Sequence, residues 1–146
     1  MPYEYKAVRR VEFSETDMAG IVHYSNFFRY METAEHAFYR SLGFSVVTKG
    51  FESPLGWPRV HAECDYKKPL RFEDEVEIQL LVEEKKSRSI KFCFRFWKLN
   101  GGREEVARGN LVVVCVTHNT DGTMAAIPIP KEIADRIEVA PAESLR

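Results

Sequence analysis

Phe13-Ser-Glu-Thr-Asp17-Met-Ala-Gly20-Ile21-Val22-His23-Tyr24-Ser25-Asn26-Phe27, running on through Phe28-Arg-Tyr-Met31-Glu-Thr-Ala34-Glu-His-Ala-Phe38-Tyr-Arg-Ser-Leu42-Gly43, is the stretch that decides how this chain folds. Phe27, Phe28, Met31, Ala34, Phe38 and Leu42 recur at steps of three and four, the spacing of one helix face. Arg29, Glu32, Glu35 and Arg40 then fall largely on the opposite side. Ser25 or Asn26 supplies an N-cap and Gly43 a C′ residue, so a helix is predicted between them. Just before it stands an acidic turn, with Gly20 three residues after Asp17. This order brings a carboxylate near the positive end of a helix, where unpaired backbone N–H groups can hold a developing negative charge. Acyl-transfer chemistry needs that pairing.

Outside the helix, strand signals dominate. Residues 5 to 13 read as a first strand, with Val8 and Val11 among charges. Val60, Ala62, Cys64 and Tyr66 alternate with polar residues, as do Val76, Ile78, Leu80 and Val82, although Leu81 breaks the polar side. Ile90, Phe92, Phe94 and Phe96 form a third alternating run. Asn100-Gly-Gly reads as a hairpin turn, Val106 to His118 as one long strand, and Asn119 to Gly122 as another turn. Phe44 to Pro58 reads as a loop and Ile133 to Ile137 as a short terminal helix. One long helix with a meander of strands predicts an α+β fold, an antiparallel sheet wrapped around that helix. The whole chain, residues 1–146, is read as one domain.

Composition narrows the function classes. With 45% apolar and 29% charged residues the chain is that of a folded protein. A net charge of −1 argues against nucleic-acid or membrane-surface binding driven by bulk electrostatics. The longest apolar run, Leu111 to Val116, is far too short to span a membrane, and the N-terminus lacks the features of a secretory signal. Cys64, Cys93 and Cys115 are odd in number and widely spaced, which fits free thiols in a reducing cytoplasm rather than a redox or metal motif. His36, His61 and His118 are scattered without metal-ligand spacing, so no metal or other cofactor is expected.

The pattern from Asp17 to Glu32 resembles the active-site segment of the hotdog-fold acyl-CoA thioesterases of the 4-hydroxybenzoyl-CoA thioesterase family, which includes the Tol–Pal-associated thioesterases. A second element, Cys64-Asp-Tyr66-Lys67-Lys68-Pro69-Leu70-Arg71-Phe72-Glu73-Asp74, resembles the strand and turn that follow in that family. The resemblance covers about residues 5 to 120. It implies a hotdog fold, an acyl-CoA substrate, and a homodimer or homotetramer in which a neighbouring subunit helps wall the site. It matches Asp17 to the catalytic carboxylate and Tyr24 to the position whose backbone N–H polarises the thioester carbonyl. Gly20, Ile21, Val22, His23, Asn26 and Phe27 fall in the substrate-binding segment. Many Tol–Pal-type relatives carry Tyr then His where this chain has His23 then Tyr24, so only the backbone role carries over at that position.

The residues themselves leave two routes open for Asp17: attack on the thioester carbon, or general-base activation of water. A thiol of pKa about 8.5 leaves readily as thiolate, so no general acid is required. The basic run Lys85-Lys86-Ser-Arg88-Ser-Ile-Lys91 is either a solvated turn or a contact for the phosphates of coenzyme A, with Lys86, Arg88 and Lys91 as its cations. Two other functions share such a scaffold: a non-catalytic acyl-thioester-binding protein, and a hydratase that would need an Asp/His pair, for which only His23 lies close in sequence.

Overall fold

The computed structural model describes residues 1–47 and 54–146. Strand β1 (Glu4–Arg10) leads through a 3₁₀ turn at Phe13–Glu15 to helix α1 (Asn26–Ser41). There follow β2 (Leu55–Gly56), β3 (Arg59–Tyr66), β4 (Glu75–Lys85), β5 (Ser89–Lys98), β6 (Glu104–Val114), β7 (Val116–His118), β8 (Met124–Ala126) and the short helix α2 (Lys131–Ala134). The main sheet has the order β1-β4-β5-β6-β3 with every described pairing antiparallel, and β2-β7-β8 form a second small sheet. The expected α+β architecture, one antiparallel sheet curled around a long helix, is therefore what the chain adopts. Part of the expected 44–58 loop, residues 48–53, lies outside the described residues.

Helix and sheet meet along matched apolar faces. Phe27, Tyr30, Met31, Ala34, Phe38 and Tyr39 of α1 are buried against Ile78, Leu80, Ile90, Phe92, Phe94 and Phe96, which the period of two sends to one side of the sheet. Leu81 breaks the polar alternation because the far side is also partly covered: with Cys93 it packs against Ala140, Tyr3 and Leu145. Helix α1 ends as its sequence predicts. Gly43 takes a φ of +93°, its N–H donates to Arg40 O and that of Phe44 to Tyr39 O, with the Phe44 ring stacked on Tyr39. Its start differs from expectation: Ser25 makes no side-chain cap bond, because its hydroxyl is engaged with His23 Nδ1 at 2.8 Å.

Four further expectations need correction. The first strand stops at Arg10, where the chain turns into the 3₁₀ segment. The long strand from Val106 is broken at Cys115, whose N–H turns to Arg88 O, so that β7 leaves for the second sheet. The terminal helix starts at Lys131 and ends at Ala134. Glu35, expected on the solvent side, is fully buried and is held by the Tyr39 hydroxyl at 2.7 Å and by Arg59. Burial pushes its carboxyl pKa up, against the opposing pull of Arg59 and Tyr39.

The helix can lie this close to the sheet because β6 presents Gly109 beneath it. A Cβ there would stand 2.2 Å from Met31 Cε and 2.9 Å from the main-chain oxygen of Glu63. The methionine end can swing aside, whereas the β3 carbonyl is held in the ladder to β6. Gly109→Ala should therefore destabilise by about 1–3 kcal/mol, the usual cost of overpacking, and lower Tm by roughly 3–10 °C in a chain of this size. An unchanged Tm in a thermal melt of Gly109→Ala would mean that α1 does not sit at this separation.

Candidate active site

The acidic turn is built from local hydrogen bonds. Asp17 N–H donates to Ile21 O and Gly20 N–H to Asp17 O, both at 2.9 Å, and Gly20 closes the turn at φ +81°. Asp17 Oδ1 accepts from Ala19 N–H at 2.8 Å, whereas Oδ2 accepts no bond among the described residues. Beyond the turn, Val22 N–H donates to Leu70 O at 2.8 Å and Ile21 bridges to Arg71. The two segments singled out in the sequence are thus stitched together directly.

The run into α1 is held from Glu15. Its carbonyl accepts from His23 N–H at 2.9 Å and from Asn26 Nδ2 at 2.8 Å. Its carboxylate accepts from Arg9 at 2.5 Å and from the Tyr30 hydroxyl at 2.9 Å, and burial against this carboxylate pushes the Tyr30 phenol pKa well up. Tyr24 follows His23 at the foot of the helix. Its carbonyl accepts from the Tyr66 hydroxyl at 3.0 Å, and among the described residues its N–H has no acceptor. That N–H is a free donor at the positive end of a helix of sixteen residues.

Asp17, Ile21, Val22, Tyr24 and Phe27 line one cleft of about 620 Å³, together with Ala19, Tyr66, Lys67, Lys68, Pro69 and Arg71. A second hollow, behind Gly20 and Met18, has Asp17 on its wall as well and is flanked by the exposed aromatic pair Phe13 and Phe72. Three of the expected residues do not line the cleft, and of these Gly20 lines the second hollow. Asn26 is buried against Glu15, and His23 is engaged with Ser25 and stacks on Tyr24 at a centroid distance of 4.5 Å. Both shape the approach to Tyr24.

The basic run stands apart within the chain. Tyr66 lies in register with Ala107, Phe96 and Ile78, while Lys85 closes the far end of β4 seven residues further on. At about 3.3 Å per residue that is roughly 23 Å away. Lys86 pairs there with Glu84 and Lys91 with Glu83, and the carbonyl of Arg88 holds Cys115. The cations on the cleft are instead Lys67, Lys68 and Arg71. Sequence reasoning quoted these three inside the second motif without giving them a role, and it gave no role at the site to Glu15 or Tyr66. Glu15 carried a signal, since a carboxylate three residues after Glu12 can close a capping box, as it does on Glu12 N–H at 2.8 Å. Among the described residues no group of three or more His, Cys, Asp or Glu side chains is placed to hold a metal ion.

Comparison with known proteins agrees with this geometry. The model of the thioesterase-like superfamily matches residues 11–137. A protein of Aquifex aeolicus (strain VF5), provisionally named an esterase, is 38% identical over 135 residues, covering 92% of this chain and 97% of its own. A 1,4-dihydroxy-2-naphthoyl-CoA hydrolase of Prochlorococcus marinus (strain NATL1A) is 32% identical over 126 residues, covering 79% and 80%. The solved structure of a gentisyl-coenzyme A thioesterase superposes with a TM-score of 0.74 at 30% identity, covering 91% and 98%. With the family model spanning most of its length and an antiparallel sheet folded about one long helix, the chain belongs to the thioesterase-like superfamily, a family of thioester hydrolases, and carries its hotdog fold.

Proposed function

We propose that this protein hydrolyses an acyl-CoA thioester to the carboxylic acid and free coenzyme A at the cleft beside Asp17. The observation that carries this reading is the sharing of that one cleft by an open carboxylate oxygen of Asp17 and the unpaired N–H of Tyr24. In one route Asp17 attacks the thioester carbon, the C–S bond breaks with its electron pair leaving on sulfur, and water then cleaves the mixed anhydride. In the other, Asp17 takes a proton from a water that attacks the same carbon, and the intermediate collapses by breaking the C–S bond with its electron pair leaving on sulfur. Both routes pass through an oxyanion, for which the Tyr24 N–H is the nearest free donor of the helix start.

The acyl group we infer is aromatic and hydroxylated. The dihydroxynaphthoyl-CoA hydrolase and the gentisyl-CoA thioesterase, both at 30% identity or more, are named for acyl groups of that kind. The apolar wall of Ile21, Val22, Phe27 and Pro69 suits a flat ring. We further propose that the protein works in the cytoplasm as a homo-oligomer joined through β3. That strand forms one edge of the main sheet, and along it Val60 and Tyr66 are exposed, at 63% and 45%. A second copy pairing antiparallel would remove this open edge. The three cysteines are free thiols, as a reducing compartment would keep them.

Release of free thiol from a panel of acyl-CoA substrates, followed with a chromogenic thiol reagent, tests the reading, and no turnover across aromatic and aliphatic thioesters would overturn it. Asp17→Asn keeps the shape of the turn and removes the charge. It should abolish most turnover while a non-hydrolysable acyl-CoA analogue still binds. A folded Asp17→Asn protein with near-wild-type kcat would take the carboxylate out of the mechanism. Tyr24→Phe retains the backbone donor, so kcat should fall about 10-fold or less, against the ~10²–10³ expected for loss of an oxyanion donor. Since the Tyr24 side chain is 65% exposed, its fold should be unaffected. Collapse of kcat in that variant would assign the chemistry to the phenol instead.

A further inference from the structure

Of the three cations on the cleft, two are already neutralised by the protein. Lys67 is paired with Glu105, and Lys68 with Glu104 at 2.7 Å. Arg71 differs: its backbone N–H is bound by Asp74 at 2.8 Å, while its guanidinium forms no ion pair or hydrogen bond among the described residues. It also sits beside the reacting centre. Its backbone bridges to Ile21, and Nη1 lies 4.0 Å from where a Cβ on Gly20 would stand.

That position excludes a role at the nucleotide. The whole pantetheine arm separates the phosphates of coenzyme A from the thioester, so a guanidinium next to the Asp17 turn meets the acyl end. It shares the cleft with the apolar side chains of Ile21, Val22, Phe27 and Pro69, which offer it no acceptor, and with the Asp17 carboxylate. A planar fork of donors beside such apolar side chains is suited to oxygens on an aromatic ring. Resting on the thioesterase reading above, we propose that Arg71 is the specificity-determining residue for the acyl group, donating hydrogen bonds to a hydroxyl or phenolate oxygen of an aromatic acyl moiety.

The test compares kcat/KM for 2,5-dihydroxybenzoyl-CoA and benzoyl-CoA in the wild type, Arg71→Met and Arg71→Lys. Binding of the matching non-hydrolysable thioether analogues is measured in parallel. The wild type should prefer the hydroxylated substrate. Arg71→Met should lower kcat/KM for it by about 10–100-fold, the scale of one charge-assisted hydrogen bond, and by at least ~10-fold more than for benzoyl-CoA. Arg71→Lys should recover part of the loss. Equal losses on both substrates, or a wild type without preference, would overturn the assignment while leaving hydrolysis standing. If the wild type hydrolyses neither thioester, the binding arm alone decides for Arg71. An Arg71-dependent preference for the hydroxylated analogue sustains the inference, and equal binding of both analogues overturns it.

Discussion

The site depends on what Glu15 holds. One residue offers three acceptor oxygens, and each is taken by a group from a different part of the chain: the carbonyl by His23 and Asn26, one carboxylate oxygen by Tyr30 and Glu12, the other by Arg9. The bonds from ionised partners are of the stronger kind, about 1.5–3 kcal/mol each. Together they fix the first strand, the acidic turn and the first two turns of α1 as one piece. The distance from Asp17 to the foot of the helix is consequently set by a half-buried cluster rather than by the turn alone. The Arg9 guanidinium also lies 4.4 Å over the Tyr30 ring, so the cluster is closed from above.

Such stiffness suits a site with so few parts. The catalytic pair we propose, one carboxylate and one main-chain donor, leaves no redundancy, and a displacement of about 1 Å in either would cost ~10² in rate. Two further tethers guard against that. Val22 and Ile21 are bonded across to Leu70 and Arg71, and Tyr66 reaches over to the carbonyl of Tyr24. Burial pushes the Tyr66 phenol up to about 12, so it remains a hydrogen-bond donor at any working pH. The Tyr24 N–H shares its peptide plane with the His23 carbonyl, which accepts from Asn26 N–H at 2.9 Å, so that plane has little freedom to turn the N–H away from the cleft.

Much of this was legible from local pattern. The helix, its closing glycine and the alternating strands β4 and β5 follow from periods of 3.6 and 2, which depend on near neighbours only. What the pattern concealed depends on residues far apart. Glu35 sits among polar residues in the helical projection, yet it is buried because Arg59, from a strand 24 residues later, comes to meet it. The row Val60, Ala62, Cys64 and Tyr66 alternates as a core strand would, but β3 lies at the sheet edge, and its apolar side is only partly covered. The run at Lys86 to Lys91 carries the charge that phosphates attract, and only the register of β4 with β5 reveals that it stands at the far end of the sheet. Arg71 was in view throughout. Its distinction is that its guanidinium has no partner among the described residues, which no spacing rule reports.

The same packing that stabilises the fold also aims the chemistry. Helix α1 is held lengthwise by Gly43 and Phe44 at one end and by the Glu15 cluster at the other, and its depth is set by Gly109 beneath Met31. Phe27, one helical residue past the cap, is in edge contact with both Phe96 and Tyr66, at 5.2 and 5.0 Å. A lateral shift of the helix would therefore drag Phe27 against the cleft wall and move Tyr24 with it. Because the donor we propose for the oxyanion is a main-chain N–H just before the start of α1, it cannot be repositioned by a rotamer change as a side chain could. Its aim is only as good as the seating of the whole helix, so substitutions deep under α1 act on the site without touching it.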